Sequence, residues 1–339
     1  MEKKGTSEDM CPADEAKIRI SRNLVNYFEQ PTDIHKKRKL DKSLLVKEYH
    51  RPAAGKETKN SELRTPETLL KTSHYLITKI AERNDRPWYQ VYEFIFDRLR
   101  SIRQEIVIQR IETRLALEIL QICVRFHVFS NYKLCDHSIN EFDPKINTTH
   151  VTECISKSVE LAEALNLPFK LREEMECINL LVNLENDRIL RRALILRMNL
   201  RRDSRNYEMF NRVLDITKSY ASGNFYRFIK KGKSLPLIYL LCIHYHLHTI
   251  QKKVIDMFNT AFNLKRFSLP LSKFTSFLQL NHNDETEIEC KKFGFTIREG
   301  TIGLFMNNYN SSEKFSKRHW TIIEEELEKT NISNMLNGV

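Results

Sequence analysis

The stretch Asp85-Arg86-Pro87-Trp88-Tyr89-Gln90-Val91-Tyr92-Glu93-Phe94-Ile95-Phe96-Asp97-Arg98-Leu99-Arg100-Ser101-Ile102 decides the fold class. Its apolar residues Trp88, Tyr92, Ile95, Leu99 and Ile102 recur at alternating steps of four and three, which is one face of an α-helix. Asp85-Arg86-Pro87 reads as the start of that helix. Ile108, Ile111, Leu115, Ile119, Ile122 and Phe126 repeat the spacing downstream. Upstream, Thr65-Pro66-Glu67 supplies an N-cap threonine, a first-turn proline and an acid. Further helical stretches are read at roughly 148–166, 168–185, 187–198, 205–221 and 235–262. With 8 glycines and 9 prolines in 339 residues, the composition suits long helices better than a turn-rich β fold. Consecutive helices with short connections imply antiparallel pairs stacked as a solenoid. No strict repeat is present, so the all-α array is irregular. Trp88, Tyr92, Ile95 and Phe126 are its expected core.

The pattern changes after Leu264. Ser268-Leu269-Pro270-Leu271 reads as a short extended piece and Ser272 to Leu280 as a helix. Asp284 and Glu287 have capping-box spacing for a second helix, which stops at Gly294 with Lys291 and Lys292 in its last turn. Phe295 to Arg298 and Thr301 to Phe305 flank Glu299-Gly300 as two strands. Helix, turn, helix, hairpin is the order of a winged helix. The expected organisation is an N-terminal arm with short helices at 1–64, a helical repeat at 65–264, a winged helix at 265–306 and a tail with a helix at 307–339.

The composition excludes several classes of function. Seven cysteines, none in a CxxC pair, show neither a disulfide framework nor a zinc knuckle. Met1 to Pro12 is charged and lacks an apolar core, so it does not read as a signal peptide. The longest apolar run, Leu235 to Ile243, is too short to span a bilayer. A soluble intracellular chain with no membrane partner is expected. No P-loop, GxGxxG or GxSxG occurs, so no catalytic residue and no cofactor is assigned. His244 and His248 share a helix face, yet no third ligand is evident, and His244, His246 and His248 read as satisfied helix histidines rather than a metal site. Cys123 and His127, one turn apart, read as core.

Charge is the positive signal. Residues 188–233 hold 13 Lys/Arg against 3 Asp/Glu, so this block carries +10 of the chain's formal +11. On a helix Arg188, Arg191, Arg192 and Arg202 fall within roughly 100° of one another. Lys230 and Lys231 extend the block. Such a face suits an RNA backbone or an acidic partner, the bland alternative being a solvated face with arginines paired to neighbouring acids. His35-Lys36-Lys37-Arg38-Lys39 reads either as a nuclear-localisation or phosphate-contact run or as a solvated loop. In the winged helix, the second helix carries Asp284, Glu285, Glu287 and Glu289 against two lysines. It opposes base readout, so DNA could be held only without sequence recognition, and protein docking is the better reading. Lys291 and Lys292 could still touch a phosphate.

A set of ordered blocks then becomes specific. Met10-Cys11-Pro12, Glu15 and Phe28-Glu29 are followed by Val46-Lys47-Glu48-Tyr49, Arg51-Pro52-Ala53-Ala54-Gly55 and Glu62-Leu63-Arg64. Tyr92 to Arg100, Ile102-Arg103-Gln104, Gln109, Arg125-Phe126-His127, Gly223 to Phe228 and Phe293-Gly294-Phe295 complete the series. Together they resemble the Sac-three/GANP domain (germinal-centre-associated nuclear protein) over roughly 10–310. The resemblance implies a PCI-like fold, an irregular TPR-like helical solenoid ending in a winged helix. It gives Cys11, Pro12, Glu48, Tyr49, Arg51, Gly55, Tyr92, Asp97, Arg98, Arg100, Arg103 and Gln104 as motif residues of structural role. Asp97, Arg98, Arg100 and Arg103 are expected in a buried charge network between helices. It also implies a second PCI-domain protein and a small acidic protein as partners, in an RNA-binding assembly of the nuclear mRNA-export (TREX-two) type. The long flanking regions of the large members are not matched, and the chain looks most like the small Sac-three-domain proteins linked to centrosome duplication and the mitotic spindle. Two expectations follow: a non-enzymatic RNA-export scaffold of nucleus and cytoplasm, or a centrosome and spindle factor of cell division acting through protein contacts.

Overall fold

The computed structural model describes residues 3–31, 41–51, 58–200, 207–262, 264, 268–303 and 309–339. Lys36, Lys37, Arg38, Lys39, Gly55 and Arg202 lie outside the described residues. The chain is mostly helical, as the periodicity predicts. It divides into two compact units, one of residues 1–130, 138–168 and 331–339, the other of residues 131–137 and 169–330. The expected helical segment 65–264 is therefore shared between both units, and the last nine residues belong with the first.

The first unit contains helices α1 (Ala13–Ser21), α2 (Pro66–Tyr75), α3 (Trp88–Gln109), α4 (Arg114–Lys133, through Ser130) and α5 (Pro144–Ala164). The Thr65 side chain accepts the Thr68 amide at 3.2 Å and caps α2, which runs on into a five-residue π turn at Leu76–Ile80. On α3, Ile95, Leu99 and Ile102 are fully buried and Tyr92 nearly so. Tyr92 stacks on Phe126 at 5.9 Å and meets Phe142 edge-on at 5.1 Å. Trp88, expected in the core, is only half-buried, with its ring against Phe126 and Phe129. The apolar spacing suggests continuity past Ile108, but α3 ends at Arg110, whose φ of 52° turns the chain left-handed before α4.

The described residues among 3–64 are tied to one another and to α3. Ser7 bridges Arg64 in parallel fashion, and the Gln109 amide clips both sides of that junction. Its Oε1 accepts the Gly5 N–H at 2.7 Å, and its Nε2 donates to the Arg64 carbonyl at 2.9 Å. A Cβ on Gly5 would sit 2.3 Å from that carbonyl oxygen, so only glycine allows the approach.

The second unit contains α6 (Phe169–Val182), α7 (Asp187–Asn199), α8 (Glu208–Ala221), α9 (Phe225–Gly232) and α10 (Leu237–Ala261). There follow β1 (Ser268–Pro270), α11 (Leu271–Leu278), α12 (Asn283–Lys292), β2 (Thr296–Arg298), β3 (Thr301–Gly303) and α13 (Thr321–Lys329). Helix α6 lies between α8 and α10, and α9 lies against α8 and α10. The strands form an antiparallel sheet of order β1-β3-β2, with Leu269 and Ile297 each opposite the buried Ile302. The capping box expected from Asp284 and Glu287 does not form. Helix α12 starts one residue earlier, and no side chain caps it at His282. Asn283 instead accepts from Thr275 on α11 at 2.8 Å. A last helix, α14 (Ile332–Asn337), returns to the first unit, where Asn337 meets His74 Nδ1 at 2.9 Å. No helix among the described residues is long and apolar enough to cross a membrane.

Candidate nucleic-acid interface

The basic block resolves into two helices with different tasks for neighbouring cations. Asn186 caps α7 by accepting the Arg188 amide at 3.1 Å. Ala193 is the one buried residue of α7, and Asp187, Arg188, Arg191, Ile195, Met198 and Asn199 are exposed. Arg188 and Arg191 are exposed and pair with no carboxylate among the described residues. Arg192 differs. Its guanidinium forks onto Glu176 of α6, Nη1 to Oε2 at 2.6 Å and Nη2 to Oε1 at 2.9 Å, and that carboxylate is buried. Arg192 therefore holds α7 to α6 and is not spare for a ligand.

Helix α9 lay unrecognised in the periodicity because it is only two turns long. Asn224 caps it by accepting the Arg227 amide at 3.0 Å. Phe228, Ile229 and Gly232 face inward, and Gly232 sits so close to the Ile243 side chain that a Cβ would meet it at 2.5 Å. Tyr226, Arg227, Lys230 and Lys231 face out. Asp215 of α8 takes Arg227 at 3.2 Å and also Lys231, and these cations hold its carboxyl below the usual range. Lys230 has no carboxylate partner among the described residues, and its ammonium lies 5.8 Å from the Tyr226 ring centroid. The remaining sequence candidates, Lys291 and Lys292, are engaged at the end of α12 with Glu287 at 2.6 Å and Glu289 at 3.0 Å. Glu289 has no exposed surface and also receives Arg318, so part of the acidity of α12 is internal wiring.

The motif residues of the first unit converge on a closed charge lattice. Arg98 Nη2 reaches Glu48 at 3.0 Å and Glu29 at 3.4 Å, while its Nη1 takes Asp97 at 2.5 Å. Arg19 bonds the same Glu29 and lies 3.2 Å from Glu48. Asp97 also accepts the Tyr49 amide at 3.1 Å, and Arg100 lies 4.0 Å over the Tyr49 ring. Gln104 donates to the His50 carbonyl at 2.9 Å. Arg103 stands apart, on His150 Nδ1 at 2.8 Å and Cys154 Sγ at 3.1 Å. The Tyr92 hydroxyl reaches Asn147 at 3.2 Å. Cys11 is buried near Arg19, and burial pushes its thiol up to about 12. Pro12 sets the start of α1, and Arg51 is exposed. Glu29, Arg19 and Arg98 are buried and spend their charges on one another, while Arg98 and Asp97 also line a cavity of about 340 Å³ beside Phe28 and Phe94. Arg19, as important as the motif residues here, carried no signal in the sequence.

His244 Nε2 meets the Arg318 carbonyl at 2.8 Å and His246 Nε2 the Val182 carbonyl at 3.1 Å. Burial pushes both imidazoles down to about 4. A group of metal-type donors, Cys135, Asp136 and His319, has its ligand atoms within 4.8 Å of one another. Burial and Asp136 push the Cys135 thiol up to about 12, and the Lys317 charge acts on the same thiol.

The family described as SAC3/GANP matches residues 10–299 of this sequence. The chain is similar to "SAC3 family protein 1" of Schizosaccharomyces pombe, 24% identical over 362 aligned residues that cover 98% of this chain and 35% of the relative. It is similar to "Protein xmas" of Drosophila melanogaster, 34% identical over 162 residues, covering 44% of this chain and 8% of that protein. It is also similar to "SAC3 family protein B" of Arabidopsis thaliana, 21% identical over 309 residues, 87% of this chain and 18% of the relative. The chain thus spans about a third of the length of the first relative and less of the other two.

Proposed function

The chain belongs to the SAC3/GANP family, and from that premise we propose that it is a non-catalytic scaffold of an mRNA-export-type assembly, holding RNA on the outer faces of α7 and α9. One observation carries the RNA part: Arg188, Arg191 and Lys230 are exposed cations without a carboxylate partner among the described residues, on the stretch that holds nearly all of the net charge. Cations in that state release counterions when they meet phosphates, which drives sequence-independent binding. We read β1, α11, α12, β2 and β3 as the winged helix of a PCI-like fold. The acids of α12 oppose a groove-reading role, so this end suits docking to a second PCI-domain protein, with a small acidic protein completing the assembly. Nucleus and cytoplasm are the places such a scaffold works. Nothing in the comparisons favours the centrosomal and spindle reading over this one.

The test reverses Arg188, Arg191 and Lys230 to glutamate and leaves Arg192 alone. Affinity for single-stranded RNA should fall, and the slope of log K against log salt should shrink by about 0.7 for each phosphate contact removed. Unchanged affinity and slope would remove RNA from the proposal. Affinity purification from nuclear extract, with and without nuclease, tests the scaffold: a PCI-domain protein and a small acidic protein should co-purify in both arms. Recovery of centrosomal proteins alone would overturn it.

A further inference from the structure

Tyr226 has no evident reason to be where it is. It is 52% exposed on a helix whose other aromatic residues, Phe225 and Phe228, point at least partly inward. Its ring is braced rather than free: Phe277 of α11 meets it at 5.8 Å with planes 66° apart. Tyr226, Lys230 and Lys233 are spaced four and three residues apart, so they form one stripe along α9 and its C-terminal cap. Lys273 lies one turn before Phe277 on α11, exposed and without a carboxylate partner among the described residues. The stripe thus combines an aromatic platform with cations on two helices.

At the Lys233 end the stripe opens into a cavity of about 420 Å³, lined by Lys233, Ser276, Gln279, Asn281, Trp320 and Glu325 among others. That volume lies within the range of small-ligand sites. The Lys233 ammonium stands 5.6 Å from the Trp320 ring centroid, and partial burial lowers its pKa. Gln279 is held in the left-handed region at φ 57°. Its Nε2 donates to the Ser276 carbonyl, while its Oε1 is buried without a hydrogen-bond partner among the described residues. An orphan acceptor is costly to leave unmet, and a turn of the Gln279 amide toward the cavity it lines would offer it to the exocyclic amine of a nucleobase.

We propose that the outer face of α9 and α11, with the cavity at its Lys233 end, binds single-stranded RNA, with one base stacked on Tyr226, phosphates on Lys230 and Lys233, and a neighbouring base edge in the cavity at Gln279. This rests on the RNA-scaffold reading and assigns it a strand type and a subsite. From Tyr226 to Lys233 the helix rises about 10 Å, a span that an extended strand covers in two nucleotides. A protruding ring can stack only on a base that is free of its own stack, so a duplex gains nothing from Tyr226.

The experiment uses the full chain and fluorescence anisotropy with a short labelled oligouridine and a labelled RNA duplex. Tyr226→Ala should weaken oligouridine binding by about tenfold, and Tyr226→Phe should stay close to wild type. Duplex binding should be the same for all three, and thermal melts should show that both variants are folded. If wild type binds oligouridine and Tyr226→Ala binds it equally well, the subsite is wrong and the RNA reading stands. Equal losses for strand and duplex also overturn it, since stacking is then not what Tyr226 contributes. If wild type binds neither probe, the RNA reading itself falls and takes the subsite with it.

Discussion

The Arg64 guanidinium, with no exposed surface, forks onto the Glu105 carboxylate, which is 1% exposed, with Nε at 3.0 Å and Nη2 at 2.7 Å from Oε1. The Arg64 amide donates to the other oxygen of the same carboxylate at 2.6 Å, and Lys47 stands 3.2 Å away. One glutamate of α3 thus fixes both the backbone and the side chain of a residue 41 positions earlier.

Removing one partner of such a pair leaves the other charge buried and unmet. Glu105→Ala should destabilise the first unit by about 3–5 kcal/mol, measured by denaturant unfolding. Replacing both, as Arg64→Leu with Glu105→Leu, should cost less than the sum of the single changes. Additive losses would show that the two do not act as a pair.

Gly5 supplies an independent test of how the N-terminal segment is fastened. With the Arg64 carbonyl 2.3 Å from its would-be Cβ, Gly5→Ala must shift backbone rather than a flexible side chain. A loss of about 1–3 kcal/mol is expected, together with faster proteolysis within residues 3–64. A silent Gly5→Ala would mean that the Gln109 clip tolerates a looser junction.

These two sites show where sequence legibility ended. The period along Trp88 to Ile102 predicts α3 because a helix that buries one face must repeat there. The same logic could not see that Arg64, Arg19, Glu29 and Glu105 are core residues, since polar letters carry no mark of a partner tens of residues away. Nor could it place the break at Arg110, where an arginine takes a backbone conformation usually left to glycine. The basic block at 188–233 was legible as a count. Which of its arginines is spare was not: Arg191 and Arg192 are neighbours in sequence, and only the position of Glu176 separates them. Helix α9 escaped because two turns hold too few residues to establish a period.

Arg192 and Arg191 should therefore respond differently to the same change. Arg192→Glu sets two carboxylates together at the buried Glu176 and should cost several kcal/mol, on the order of 3–5, with the second unit unfolding earlier. Arg191→Glu should leave the thermal midpoint near wild type, because exposed charges contribute little to stability. A comparable loss for both would refute the division of labour on α7.

Acid should destabilise the protein well before the carboxylate range. His127 is buried, with Nδ1 2.7 Å from Asn147 Oδ1 and Nε2 without a partner among the described residues, and burial beside Arg103 pushes it down to about 3. His244 and His246 are held at about 4 for a similar reason, against 6.5 for an ordinary histidine. A group whose folded pKa is depressed binds protons preferentially in the unfolded chain. Its contribution is intact above about 6.5 and is lost as pH falls toward the folded value. At pH 5 each such histidine should remove about 2 kcal/mol relative to pH 7. His246→Gln keeps a donor for the Val182 carbonyl but cannot titrate. Its stability at pH 7 will be somewhat lower, yet its loss between pH 7 and pH 5 should be smaller than wild type by that same amount. Parallel pH profiles for the two proteins would show that His246 is not neutral in the folded state, or that its burial is not what holds it so.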